Sequence, residues 1–166
     1  MMNILFYCPH KFNISSKNIN SLGGIESLNI DLCRELSKRK FNIFLASDCK
    51  KRNKKFGVTN VPIKDLLYKN NEKKFDVIVS SNEPKIFNNY QNTKKILWLH
   101  NTLSIEKAIR KKKLVSIFRN KIIAVFVSNY LKEKTSNLYL FNRKYIIENF
   151  LSRSFVTKKV NYKRKP

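Results

Sequence analysis

Short runs of residues that could be buried on both faces alternate along this chain with stretches of helical periodicity. This alternation restricts the possible fold more than any other feature. Strands that are apolar on both faces belong to parallel sheets covered by helices on either side. We therefore predict an α/β fold, a Rossmann-like, doubly wound and mostly parallel sheet with right-handed connections. The predicted strands are 3–9, 41–47, a weaker one near 58–63, 75–81, 94–101, 121–128 and 143–151.

Helical segments separate several of these strands. From Gly24, apolar residues recur at helical spacing along one face, and the basic residues 38–40 are expected to fill the last turn. Pro84 suits the first turn of a short helix. Further helices are predicted near 103–119 and over 129–140, whereas the stretch after the second strand is predicted to be a basic loop.

The chain carries a formal net charge of +24 over 166 residues, enough for one domain. Such a field attracts nucleic acid, anionic lipid or acidic substrates. Most of the basic residues are lysines spread along the whole sequence beside abundant Asn and Ile, a mixture typical of AT-rich genomes. The charge alone therefore identifies no partner.

The 3 cysteines form no CxxC pair, which predicts free thiols and no metal site. No apolar run approaches the roughly 20 residues of a transmembrane helix, and the first residues do not resemble a secretory signal. We expect a cytoplasmic protein.

Ligands of doubly wound sheets bind beyond the carboxyl ends of the strands. Ser128 is expected to cap the helix after its strand, and Trp98, inside a strand, is expected to lie in the core. Both histidines are among the polar residues that follow the predicted strands. These polar residues are His10, Ser47, Asp48, Ser81, Asn82, Glu83, His100, Asn101, Ser128 and Asn149.

Two of the 3 glycines, Gly23 and Gly24, stand together before the first predicted helix. Glycine permits close approach of a ligand to the backbone, and a helix N-terminus attracts anions. The pair therefore predicts a phosphate or carboxylate site, with a tight turn that binds nothing as the alternative. It matches neither the GxGxxG fingerprint nor a Walker A loop.

Several stretches, in order, resemble the N-terminal domain of GT-B glycosyltransferases of the family-4 type. The resemblance extends from residue 3 to about 152. The quoted stretches are "GGIESLNIDLCRELSKRKFNIFLAS", "FDVIVSSNEPKIF", "KKILWLHNTLS", "KIIAVFVSNYLKEK" and "YIIENFLS".

The chain also departs from the family pattern. "ENF" stands where the family has "PNG", and Asn82 and Glu83 replace a usual histidine pair. The resemblance implies that residues 1–152 are the acceptor-side domain and that 153–166 are a basic tail or the start of an interdomain linker. The C-terminal nucleotide-sugar domain, which holds most donor contacts in the family, is not in this sequence.

The resemblance implies roles for individual residues. Gly23 and Gly24 would lie against the phosphates or sugar of the donor. His100 would be the catalytic residue, facing the donor sugar, with Asn101 beside it in the binding site. Glu83 could bind acceptor hydroxyls, although loop carboxylates are usually only solvated. No metal or other cofactor is implied, and the nucleotide sugar is a substrate.

Three hypotheses follow for the function. The first is one half of a retaining hexosyltransferase of cell-envelope polysaccharide synthesis, with a glycan or lipid-linked acceptor and a separate C-terminal partner. The second is a non-catalytic remnant or protein-binding module. The third, a nucleic-acid-binding protein, is disfavoured because no helix-turn-helix, zinc or RNP signature is present. The basic segment 105–121 could attach the protein to an anionic membrane at its inner face, or simply be a solvated helix face.

Overall fold

The computed structural model describes residues 1–10, 12, 14, 22–66, 75–102, 117, 120–135 and 141–150. These residues form one mixed sheet with helices against it. In chain order the elements are β1 (Asn3–Tyr7), α1 (Gly24–Ser37), β2 (Asn42–Ser47), β3 (Asn53–Lys55), β4 (Val58–Pro62), α2 (Ile63–Leu66), β5 (Val77–Ser81), a 3₁₀ helix (Pro84–Asn89), β6 (Lys94–Leu99), β7 (Ile123–Phe126), α3 (Asn129–Lys134) and β8 (Arg143–Ile146).

The strand order in the sheet is β3-β4-β2-β1-β5-β6-β7-β8. All neighbouring strands are parallel except β3, which runs antiparallel to β4 at one edge. The chain first builds outward from β1 to β4 and then returns to the other side of β1 to start β5. This reversal confirms the predicted Rossmann-like, doubly wound fold and places its switch point between β1 and β5.

Alternate strand residues enter two cores on the two faces of the sheet. The core on the side of α1 contains Phe6, Ile30 and Leu45, and the opposite core contains Leu5, Phe87 and Phe126. Burial on both faces explains why these strands are apolar at successive positions.

Helix α1 buries Asn29, Ile30 and Cys33 against the sheet. The residues whose spacing predicted the helix are only half-buried, and three of them pack against the same core: Ile25, Leu32 and Leu36. The basic residues 38–40 were expected in its last turn, but the helix ends at Ser37 and Lys38 is its C-cap. Lys40 then adopts a left-handed φ of 63°, a conformation that cannot continue a right-handed helix.

Part of the expected basic loop after β2 forms β3, which makes a tight hairpin with β4, the weaker strand predicted near 58–63. The two turn residues of the hairpin, Phe56 and Gly57, both have positive φ, 54° and 75°, as a two-residue turn of this twist requires. The guanidinium of Arg34 lies 4.2 Å from the centroid of the Phe56 ring, and Ser37 Oγ bonds the Phe56 carbonyl at 3.0 Å. The hairpin is thus held against the end of α1.

Replacing Gly57 with alanine is expected to lower the free energy of unfolding by about 1–2 kcal/mol. Its φ of 75° is strained for any residue with a Cβ, and that Cβ would lie 2.9 Å from Ser37 Oγ. Urea unfolding measures the loss. The matched control is Gly24→Ala, where no atom lies within 4 Å of the added Cβ. Equal effects of the two substitutions would contradict the prediction.

Other elements are shorter than predicted or fall outside the described residues. The last strand ends at Ile146 and not near 151, and α3 ends at Lys134. Most of the predicted helix 103–119, the membrane-contact segment 105–121 and the tail 153–166 lie outside the described residues. Within the described part of the chain, no helix is long and apolar enough to cross a bilayer.

Candidate functional site

The candidate site is the crevice at the switch point, where the carboxyl ends of β1, β5 and β6 lie side by side. Doubly wound folds bind ligands at this position because the helices leave the sheet on opposite faces there. The start of α1 borders the crevice on one face, and the loop from β5 into the 3₁₀ helix borders it on the other.

A carboxylate of the chain itself lies at the start of α1. Glu26 Oε1 is 2.5 Å from His10 Nδ1, with the glutamate side chain 14% exposed and the histidine 45% exposed. A Cβ on Gly23 would lie 2.5 Å from Glu26 Oε2. A side chain on Gly23 would require the Glu26 carboxylate to shift; this carboxylate complements the positive end of the helix.

Neither member of the glycine pair uses the conformational freedom that the sequence suggested. Gly23 is the N-cap of α1 with an extended backbone, at φ −66° and ψ 166°, and Gly24 is the first helical residue. Both lie at the edge of the crevice and are exposed. No contact of the pair with an anion is shown, so its anion role stays a prediction.

The buried thiols do not provide a nucleophile. Cys8, Cys33 and Cys49 are free, and the first two are buried, as the sequence predicted. Burial, with a smaller contribution from the nearby Glu26 carboxylate, raises the pKa of Cys8 to about 12. The thiol is the nucleophile only as thiolate, so Cys8 is a packing residue. Among the described residues, no group of three potential ligands could hold a metal ion.

Asn29 joins α1 to the end of β5. It is fully buried, and its Nδ2 donates to the Ile25 carbonyl at 2.8 Å and to Ser81 Oγ at 2.9 Å. Ser81 Oγ also lies 3.2 Å from Asn29 Oδ1 and can donate to it. This contact fixes the start of α1 relative to the strand ends.

Asn82 joins the ends of β5 and β6. Its φ of 58° is in the left-handed region, which asparagine tolerates better than most residues. Its backbone N–H donates to the Trp98 carbonyl at 3.0 Å, and its Oδ1 accepts from the His100 N–H at 2.8 Å. The turn therefore holds His100 directly after β6, where the sequence predicted it.

His100 is a neutral imidazole. Burial lowers its pKa from 6.5 to about 4. Its Nε2 is buried and has no hydrogen-bond partner among the described residues, and the same holds for Nε1 of Trp98. The two ring centroids are 4.5 Å apart at an interplanar angle of 49°.

Glu83 has a structural role on the other face of the crevice. It is the N-cap of the 3₁₀ helix, and its carboxylate accepts from the Lys85 N–H at 3.1 Å. Tyr7, at the end of β1, has its pKa raised by burial, then by the charge of Glu83 and by Cys8. Asn101 is exposed beside His100.

The structure thus brings His100 next to Asn82, and it links both to the α1 start through Asn29 and Ser81. Ser128 caps α3 as predicted, its Oγ accepting from the Leu131 N–H at 3.1 Å. Trp98 is buried as predicted, and Asn149 is exposed.

Sequence reasoning missed Glu26, Asn29 and Tyr7. Glu26 is three residues after the N-cap, the position from which a glutamate reaches back in a capping box. Asn29 is a polar residue on the apolar face of α1, and that mismatch was a readable signal. Nothing in the sequence marked Tyr7.

The pKa of His100 predicts a pH dependence of stability. The unfolded imidazole binds a proton near pH 6.5, whereas the folded one does so only near pH 4. Between these values the unfolded state holds more protons, so stability falls as the pH falls. We expect the wild type to lose of the order of 1 kcal/mol more than His100→Gln over this range, since partial solvent contact weakens the effect. Urea melts at several pH values measure it; parallel curves for the two proteins would contradict it.

No protein-family model matches this chain, and no curated protein matches it. Among solved structures, it is similar to a probable 2-hydroxyacid dehydrogenase from Rhizobium etli CFN 42 in complex with NADP, HEPES and L(+)-tartaric acid, at 13% identity and a TM-score of 0.45. The match covers 87% of this chain and 44% of the dehydrogenase, so the chain spans less than half of that protein. We base the fold class on the strand order of the chain itself and draw no functional argument from this similarity.

Proposed function

We propose that this chain is the N-terminal, acceptor-side domain of a GT-B glycosyltransferase. It would act with a donor-binding domain to transfer a sugar from a nucleotide sugar to a glycan or lipid-linked acceptor. The observation that carries the proposal is His100, a neutral imidazole at the end of β6 whose Nε2 has no partner among the described residues.

The family-like stretches also fall on the elements that form the crevice. The "GGIES" stretch opens α1, "FDVIVSS" contains β5, and "KKILWLHN" contains β6 with His100 directly after it. These stretches all reach the same edge of the sheet. This placement supports the resemblance, because ligands of such sheets bind along that edge.

The chemistry of the crevice suits hydroxyl groups. A neutral imidazole can donate to a sugar hydroxyl or accept from it. The carboxylates of Glu26 and Glu83 are acceptors for hydroxyl donors. A donor phosphate would approach Gly23 and Gly24. The nucleotide sugar is the substrate, and the proposal invokes no other cofactor.

The test begins with the DNA that adjoins the coding sequence. We expect it to encode, in the same or a neighbouring frame, a second domain that binds nucleotide sugars. The two parts together should transfer radiolabelled sugar from UDP-glucose, UDP-N-acetylglucosamine or GDP-mannose to a lipid extract of the source cells, whereas this chain alone should not.

Substitution of His100 then tests the site. In the joined protein, His100→Ala should lower the transfer rate by about 100-fold or more, with an unchanged circular dichroism spectrum. The absence of a donor domain, or transfer at the wild-type rate by His100→Ala, would sink the proposal and favour a binding module or remnant. Attachment to the inner membrane face is tested separately by co-sedimentation with anionic and neutral vesicles.

A further inference from the structure

Two buried polar atoms at the carboxyl end of β6, Trp98 Nε1 and His100 Nε2, have no hydrogen-bond partner among the described residues. Trp98 is only 5% exposed. Leaving a buried N–H unpaired costs about 1–3 kcal/mol, and native proteins rarely do so. Two such atoms on side chains whose rings lie 4.5 Å apart therefore call for a common explanation.

Two of the neighbouring polar atoms, Ser81 Oγ and Asn82 Oδ1, are already used. Trp98 pairs in register with Ser81 on β5, but Ser81 Oγ is engaged with Asn29. The Asn82 side chain is engaged with the His100 backbone N–H. On the other side Trp98 pairs with Val125 of β7, which offers no polar side chain.

The two side chains differ in what they can bind. The indole N–H only donates, whereas the Nε2 of a neutral imidazole either donates or accepts, depending on the tautomer. A hydroxyl group accepts from the indole and can donate to the imidazole or accept from it. A carboxylate or phosphate oxygen only accepts, so it suits one imidazole tautomer alone and gains no ion pair from a neutral ring.

We propose that Trp98 Nε1–H and His100 Nε2 together bind one hydroxyl group of a sugar, which makes Trp98 a specificity-determining residue of the crevice. This inference rests on the proposed function for the identity of the sugar donor. A site that pairs a hydroxyl discriminates against analogues that lack it, because its own polar atoms are then left unpaired.

The chain contains 1 tryptophan, so its fluorescence reports directly on Trp98. The first experiment titrates the purified chain with UDP-glucose, UDP-N-acetylglucosamine, GDP-mannose, the nucleotides UDP and GDP, and free glucose and mannose. We expect at least one sugar-bearing compound to change the emission saturably, and the nucleotides alone to leave it unchanged.

The second experiment compares variants by calorimetry with the compound that binds. Trp98→Phe should weaken binding about three- to tenfold, the contribution of one hydrogen bond. Deoxy analogues of that sugar identify the hydroxyl: one of them should bind equally to wild type and Trp98→Phe. Tyr90→Phe is the matched control, because the Tyr90 hydroxyl belongs to the opposite core, 3.5 Å from the Leu66 carbonyl. It should bind like the wild type.

The outcomes separate this inference from the proposed function. If free sugars bind saturably but the joined protein transfers no sugar, the hydroxyl site is supported and the glycosyltransferase proposal is contradicted. If the joined protein transfers sugar but wild type and Trp98→Phe bind the sugar compound equally, the role of Trp98 is contradicted and the glycosyltransferase proposal is supported. No emission change with any sugar-bearing compound overturns the inference.

Discussion

Phe6→Ala is expected to lower the free energy of unfolding by about 3–5 kcal/mol, the range for removing a buried phenylalanine. Phe6 is 1% exposed and lies on β1, the central strand, between Leu45 of β2 and Val79 of β5 in register. Strands on both sides restrict the collapse of the cavity, which places the cost in the upper part of the range.

The matched control is the same substitution at Phe150, which is 41% exposed. It should change stability by less than about 0.5 kcal/mol. Urea unfolding followed by circular dichroism measures both variants, and Phe6→Leu should recover most of the loss. A loss at Phe6 no greater than that at Phe150 would show that β1 is not central to the fold.

Phe6 lies close in sequence to residues of the crevice, so its substitution also affects that site. β1 ends immediately before Cys8 and His10, and the Cys8 N–H donates to the Ala46 carbonyl of β2 at 3.0 Å. A cavity at Phe6 therefore lies only a few residues from the His10–Glu26 contact. A loss of activity in Phe6→Ala would therefore combine lower stability with altered site geometry.

The main sheet could be predicted because its strands are apolar on both faces. β1, β2, β5, β6 and β7 all lie within predicted strands, since burial on two faces leaves a continuous apolar run in the sequence. β3 could not, because it is an edge strand of Asn and Lys residues. Its turn depends on Phe56 at positive φ against Arg34, a contact between residues far apart in sequence.

The place of the candidate residues at the sheet edge was predictable, but their contacts were not. His100 and Glu83 follow buried strands, so their place at the sheet edge followed from the topology. The contact of Glu26 with His10 depends on the path of the loop before α1, which no local pattern specifies. The capping role of Glu83 depends on its rotamer, which the sequence does not reveal.

Three large apolar side chains are exposed beside the carboxyl ends of the last two strands. Tyr130, Ile147 and Phe150 are exposed, by 67%, 58% and 41%, just after the carboxyl ends of β7 and β8. Both a docking donor domain and another protein partner would use such side chains. The choice between the enzyme and binding-module hypotheses therefore rests on the chemistry of the crevice and on sugar transfer.

Asn29→Ala is expected to lower the free energy of unfolding by about 1–3 kcal/mol, because it leaves the buried Ser81 hydroxyl without a partner. Both residues are at most 2% exposed, so water cannot easily replace the lost amide. The matched control is Asn42→Ala at the surface, where the side chain also makes an amide hydrogen bond, to Asn3 Oδ1 at 2.9 Å. That variant should lose less than about 0.5 kcal/mol.

A double-mutant cycle with Ser81→Ala isolates the contact between α1 and β5. In the Ser81→Ala background, Asn29→Ala should lower the free energy of unfolding by about 1 kcal/mol less than it does in the wild type. The reason is that no buried hydroxyl is then left without a hydrogen-bond partner. Additive losses would mean that Asn29 acts only within α1, through its bond to the Ile25 carbonyl. Coupling would show that the helix start, with Gly23 and Glu26, is fixed against the strand end that borders Trp98 and His100.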